Sequence, residues 1–169
     1  ADPLGSSSEG WSWTETQNDW DIVTNKALGV TNNLLNARAE SDLSSADHYS
    51  QVDIINLGIG NDDVGRGVTA RYSVSALTHY ITFAYQQDDK IYLRKEVNGV
   101  ITDIATAVSI TISLPEAYKV ECDGSAIKGY QAGVEKISAT DTAITGNTRT
   151  GLWGWGAFSS DVDNFKAGD

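Results

Sequence analysis

Alternation of apolar and polar residues with a period of two runs along most of this chain, and that pattern predicts short β-strands rather than helices. From Tyr118 to Asp123, the residues Tyr118, Val120 and Cys122 alternate with Lys119, Glu121 and Asp123. Asp123-Gly124-Ser125 then supplies a tight turn, because Gly and Asp tolerate positive φ at little cost. A second run from Ala126 to Gln131, a turn at Ala132-Gly133 and a third run from Val134 to Ile137 complete a meander of short strands. A glycine-rich aromatic strand, Gly151-Leu-Trp-Gly-Trp155, closes it.

The same reading extends upstream. Tyr49 to Ile55 is a strand with Val52 and Ile54 on one face and Gln51 and Asp53 on the other. Three strands follow, Gly67 to Ser75, His79 to Gln87 and Lys90 to Val97, with turns at Asp88-Asp89 and Asn98-Gly99. In the first, Val68, Ala70 and Tyr72 oppose Thr69, Arg71 and Ser73. In the second, the apolar set His79, Ile81, Phe83 and Tyr85 is expected to face the core, leaving Tyr80, Thr82, Ala84 and Gln86 outside. In the third, Ile91 and Leu93 face in while Tyr92 and Arg94 face out. Val100 to Ile112 alternates loosely before a break at Leu114-Pro115, and Asp161 to Lys166 makes the last strand.

Two stretches are ambiguous. Leu34 to Ala39 fits either a short helix, too short to stand alone in water, or a strand with Leu35, Ala37 and Ala39 on one face. Trp11, Trp13 and Trp20 either anchor the first strand against the core or form a stacking platform. The count is about ten to thirteen short strands at roughly eight-to-twelve-residue spacing, which predicts an all-β, two-sheet antiparallel sandwich. Residues 1–10 show no strand or helix pattern and read as a linker; residues 11–169 read as one domain.

Composition narrows the function classes. The chain has 169 residues, enough for one domain with a proper core. Its net charge of −11 argues against nucleic acid or an anionic membrane surface as partner, since both would repel it. The single cysteine, Cys122, excludes an internal disulfide, and with two histidines it cannot supply a Cys/His zinc site. No apolar window is long enough for a membrane-spanning helix. Asn61, Asp62 and Asp63 lack the ligand spacing of an EF-hand loop.

The order of Gly67-Val-Thr-Ala-Arg71-Tyr72, the Tyr80 strand, Tyr92-Leu-Arg-Lys95 and Asn98-Gly99 resembles the concanavalin A-like, laminin-G-type jelly roll. Val120-Glu-Cys-Asp-Gly124, Tyr130-Gln-Ala-Gly133, Asp141-Thr142, Gly151-Leu152 and Asp163-Asn164-Phe165 resemble its C-terminal half. That resemblance implies a fold shared by lectins, carbohydrate-binding modules, glycanases, lyases and adhesion or virion-surface domains, so function must come from the site. Glycanases of this fold carry a Glu-x-Asp-x-x-Glu run on one strand, and this chain has none; its acidic pairs, Asp62-Asp63, Asp88-Asp89 and Asp161/Asp163, lie in or beside turns. A lyase would need His79 and Tyr80 on one face, whereas alternation puts them on opposite faces.

The expectation is therefore a non-catalytic module binding an oligosaccharide or polysaccharide, secreted or displayed on a cell or virion surface. Asp53, Arg71, Tyr80, Tyr92, Arg94, Trp153 and Trp155 are its candidate ligand-binding residues. Aromatic rings stack on sugar C–H faces, and planar or carboxylate groups bond vicinal hydroxyls. The alternatives are a structural or adhesion module whose sheet faces pack on protein partners, and a glycan hydrolase or lyase with a convergent carboxylate pair or a solvent-facing His79. The resemblance also implies a structural calcium ion, with Asp163 and one of Glu15, Asp19 or Asp21 as oxygen ligands.

Overall fold

A computed structural model describes residues 12–18, 20–23, 26–29, 34–58, 63–156 and 161–169. Its strands are β1 (Trp13–Gln17), β2 (Trp20–Val23), β3 (Lys26–Gly29), β4 (Leu35–Ala39), β5 (His48–Asn56), β6 (Gly65–Tyr72), β7 (His79–Tyr85) and β8 (Lys90–Val97). Then come β9 (Val100–Asp103), β10 (Val108–Ser109), β11 (Glu116–Asp123), β12 (Ala126–Gln131), β13 (Val134–Thr140), β14 (Arg149–Trp155) and β15 (Asp161–Gly168). No helix occurs among the described residues.

Two antiparallel sheets form a jelly-roll sandwich. The front sheet runs β1-β4-β14-β6-β7-β8-β10, with β9 also paired to β8; the back sheet runs β13-β12-β11-β5-β15-β3-β2. Between them lie Trp20, Val52, Ile54, Val68, Ile91, Leu93, Val120, Ile127, Leu152 and Val162, all essentially inaccessible. Burying each such aliphatic side chain contributes about 1.5–3 kcal/mol. The meander forms as its pattern predicts, β11-β12-β13 in one sheet. Ala132 and Gly133, both at positive φ (49° and 77°), close its second hairpin with the left-handed pair that a two-residue loop requires.

Leu34 to Ala39 resolves as a strand. β4 lies between β1 and β14 and every one of its residues is buried, so sheet pairing satisfies a backbone that a lone short helix could not. Trp20 is fully buried in the core and Trp13 packs edge-on to Phe165 with centroids 4.8 Å apart. Both act as anchors of the first strands; Trp11 lies outside the described residues.

The expected faces of β7 are reversed. Tyr80 and Ala84 point into the core between the sheets, while Ile81 and Phe83 join Trp153 in a separate apolar cluster on the outer face of the front sheet. Register is the reason. Ala84 pairs with Ile91 and Phe83 with Tyr92, so the side of the sheet that Ile91 faces must also receive Ala84.

A β-bulge reverses the end of β6. Between its pairings with Arg149 and Gly151, Ala70 and Arg71 stand against one residue of β14, and Arg71 takes φ +50°. The extra residue turns Tyr72 to the outer face, where its ring lies 4.2 Å from that of His79. Arg71 is thrown the other way, into the closed end of the sandwich.

Candidate functional site

Pairing across the front sheet sets one row of residues on its outer face: Asn36, Trp153, Gly67, Phe83 and Tyr92. Because Gly67 has no side chain, the rings on either side of it meet. Trp153 and Phe83 have centroids 4.3 Å apart, and Phe83 stacks on Tyr92 at 5.0 Å and 10°. A Cβ on Gly67 would lie 1.9 Å from the Thr82 carbonyl oxygen and 2.6 Å from Phe83 Cα. In the adjacent row Gly65 lies between Trp155 and Tyr85, and a Cβ there would lie 3.0 Å from Phe83 Cδ2 and 3.2 Å from Trp153 Cζ3. The spacing Gly65-x-Gly67 thus clears space for an aromatic floor of Trp153 and Phe83, with Tyr92 stacked beside Phe83.

Above this floor is a groove of about 530 Å³. Phe83 and Trp153 lie at its base, Tyr85 and Trp155 with Asp63 form one side, and Arg94 with Asp103, Ile101 and Leu34 complete the lining. Asp63 Oδ1 accepts hydrogen bonds from the Tyr85 hydroxyl at 2.5 Å and from Trp155 Nε1 at 2.8 Å. Tyr92 donates its hydroxyl to Asp88 at 2.6 Å. Burial, reinforced by these carboxylates, pushes the Tyr85 and Tyr92 hydroxyls up to about 12, so both remain neutral donors at physiological pH. Arg94 lies over two rings, its guanidinium carbon 4.9 Å from the Phe83 centroid and 4.7 Å from that of Tyr92. Its Nε donates to Asp103 at 2.5 Å.

Tyr92, Arg94, Trp153 and Trp155 therefore share one outer face, as the alternation of their own strands predicts. Three other candidates lie elsewhere. Arg71 and Tyr80 are buried: the bulge turns Arg71 inward, and the β7–β8 register turns Tyr80 inward. Arg71 donates to the carbonyls of Ala46, Ile144 and Gly124 and to Asp47, and the Tyr80 hydroxyl donates to Asp141 at 2.7 Å. Asp53 belongs to β5 in the back sheet, where it accepts a bond from Asn164 Nδ2 at 2.9 Å. It is on the opposite face of the domain because Val52 and Ile54 fill the core.

The groove residues that alternation alone misses are Phe83, Tyr85, Asp63, Asp103, Leu34 and Ile101. For the first two a signal existed. Any hairpin of even loop length between β7 and β8 pairs odd-numbered residues of one with even-numbered residues of the other, so an outward Tyr92 requires an outward Phe83 or Tyr85. Asp63 and Leu34 come from connections outside the strands, and no local pattern marks them.

The calcium expectation finds no assembled site among the described residues, which hold no group of three or more His, Cys, Asp or Glu side chains able to bind a metal. Asp21 pairs with Leu28, which in turn pairs with Asp161, whereas Asp163 pairs with Asp53. Asp163 accepts the backbone N–H of Asn164, and Asp161 bonds Lys26 at 3.2 Å. Asp21 and Asp163 thus lie at different register positions; Asp19 lies outside the described residues. His79 is fully buried on the outer face, its Nε2 3.2 Å from Glu96 Oε2. It does not reach solvent as a lyase base would. The lone thiol of Cys122 is buried and pushed up to about 12, which makes it inert as a nucleophile.

No protein-family model matches the chain, and no curated protein matches it in sequence. Solved structures do. The carbohydrate-binding module CBM66 from Bacillus subtilis superposes with a TM-score of 0.77 over 93% of this chain and 95% of that one, at 19% identity. A Bacillus licheniformis beta-glucanase gives 0.63 over 98% and 94% at 12% identity. The Emp46p carbohydrate recognition domain in its potassium-bound form gives 0.65 over 94% and 88% at 10% identity. The fold is a concanavalin A-like jelly roll. At these identities the likeness is one of fold, and the groove carries the argument about function.

Proposed function

We propose that this domain is a non-catalytic glycan-binding module whose ligand lies in the front-sheet groove. One observation carries the reading: an aromatic floor of Trp153 and Phe83, the latter stacked on Tyr92, ringed by a guanidinium, two carboxylates, a tyrosine hydroxyl and the Trp155 ring. Sugars present apolar C–H faces and a rim of hydroxyls, so a site for them needs stacking area bounded by fixed polar groups. The neighbours in fold that are carbohydrate-binding proteins support the same reading. The beta-glucanase neighbours raise the hydrolytic alternative. Against it stand the two groove carboxylates, Asp63 and Asp103, each already accepting a hydrogen bond from a neighbouring side chain, and the burial of His79.

A glycan array with the purified domain, run with and without calcium, tests the proposal together with Trp155→Ala. Trp155 is 39% exposed, so its loss leaves the fold intact while removing one wall. Binding should weaken at least about tenfold. Glycan binding that Trp155→Ala leaves unchanged would move the site off this face. Shortened products in the incubation would establish the hydrolase instead.

A further inference from the structure

Among the described residues, charge on the front face is extensively paired. Arg94 meets Asp103 at 2.5 Å, Arg38 meets Glu40 at 2.7 Å, Lys90 meets Asp88 at 2.8 Å, and Arg149 meets Asp42 at 3.1 Å as well as Glu40. In the groove itself one cation, Arg94, faces two carboxylates, Asp63 and Asp103, among the described residues. The domain around it carries a net charge of −11. An anionic ligand entering this groove would have to approach two fixed negative charges to reach one positive charge that is already neutralised.

The bond to Asp103 runs through Arg94 Nε. The guanidinium lies over Phe83 and Tyr92, and its two terminal NH2 groups take no part in the bond to Asp103. Those groups form a planar fork whose spacing matches two adjacent oxygens. On a neutral sugar, two adjacent hydroxyl oxygens fit it; on an acidic sugar, a carboxylate fits it equally well in shape. Asp103 decides between them, because its charge cancels the Coulombic advantage of the carboxylate without altering the fork.

Resting on the proposed glycan-binding reading, we infer that the Arg94–Asp103 pair is a charge filter: the groove takes neutral glycans, gripped at a vicinal diol by Arg94, and rejects uronic-acid and sulfated chains because of Asp103. This makes Asp103 a specificity-determining residue. Its side chain is 55% exposed, so Asp103→Asn preserves the fold and the near-isosteric acceptor while removing the charge.

The experiment is titration calorimetry of the wild type, Asp103→Asn and Arg94→Lys. The ligands are neutral gluco-, manno-, galacto- and fructo-oligosaccharides and, as the acidic arm, oligogalacturonides and heparin fragments. The wild type should bind in the neutral arm alone, with affinity unchanged between about 0.05 and 0.5 M salt. Asp103→Asn should gain affinity for the acidic arm by about tenfold, and that gain should vanish at high salt. Arg94→Lys, which keeps the charge and loses the fork, should weaken neutral binding by about tenfold. Wild-type binding to an acidic oligosaccharide as tight as to any neutral one would overturn the filter while leaving glycan binding in place. So would acidic binding that Asp103→Asn leaves unchanged. Absence of binding in both arms would overturn the glycan-binding reading and the filter with it.

Discussion

Arg71 and Arg94 belong to the same sheet, each lies over a tyrosine ring, and their chemical types make them equal candidates for gripping a ligand. Their surroundings separate them. Arg71 sits at the closed end of the sandwich, where its guanidinium ties together three connections: it bonds Ala46 O at 2.8 Å and Asp47 at 2.9 Å, Ile144 O at 3.0 Å, and Gly124 O at 2.7 Å. Arg94 commits one donor to Asp103 and lies partly exposed, at 27%, in the groove. A guanidinium has five N–H donors in a fixed fork. Where loops enclose it, those donors organise the fold; where a sheet face leaves it open, they remain for a ligand.

The largest expected effect breaks that contrast from the buried side. Arg71→Ala removes the common partner of three carbonyls and a carboxylate, and should cost about 3 kcal/mol or more of stability in a urea titration. Arg94→Ala, removing a half-exposed pair, should change stability by about 0.5 kcal/mol or less while abolishing detectable glycan binding. Equal losses of stability from the two would erase the distinction.

Gly67→Ala tests the floor of the groove. Its new Cβ meets backbone atoms of Thr82 and Phe83 rather than a flexible side-chain end, so β6 and β7 must separate. A loss of about 2–3 kcal/mol is expected, with the near-ultraviolet signal of the Trp153–Phe83–Tyr92 cluster altered as well. A variant as stable as wild type would show that the rings do not depend on this close approach.

Alkaline pH should give the smallest effect. Burial holds the hydroxyls of Tyr72, beside His79 on the outer face, and of Tyr85 and Tyr92 in the groove near 12 in the folded state, against about 10 in an unfolded chain. Above pH 10 the unfolded state loses these protons first, so the stability they contribute is present below about pH 10 and lost as pH rises towards 12. Urea midpoints should be level from neutral pH to about 9 and fall beyond about 10. In the acid direction, desolvation depresses His48 and His79 from 6.5; the unfolded state takes up their protons first, and stability declines as pH falls below about 6.5. A midpoint that rose with acidification through this range would contradict the burial of both histidines.

Much of the architecture was legible in order along the chain. Turn residues marked the β11-β12-β13 meander and the Asn98-Gly99 hairpin, and alternation placed Val52, Ile54, Val68, Ile91 and Leu93 correctly in the core. It also placed Tyr92 and Arg94 outward and set Trp153 and Trp155 on one face. It failed at β7, where every residue from His79 to Tyr85 is apolar or aromatic except Thr82 and His79. A strand covered on both faces offers no polar side to read, and the more hydrophobic set, Ile81-Phe83-Tyr85, was the one left on the groove face. It failed at Arg71 because one bulged residue inverts the facing of the residues after it, and no side-chain pattern announces a bulge there.

What the sequence by itself determined is most of the strands and their turns, the class of fold and the chemical types available for a site; β3 (Lys26–Gly29) carries no alternation long enough to read. These depend on local propensity and a two-residue period, both of which act over a few neighbours. Which sheet each strand joined, and so whether Asp53 and Arg94 shared a surface, was decided by pairing between residues far apart in the chain. The same long-range register chose which face of β7 was buried and brought Asp63, Phe83, Arg94 and Trp155 to one groove. A strand's two faces exchange roles with a shift of one residue, and only the partners across the sheet hold that choice in place.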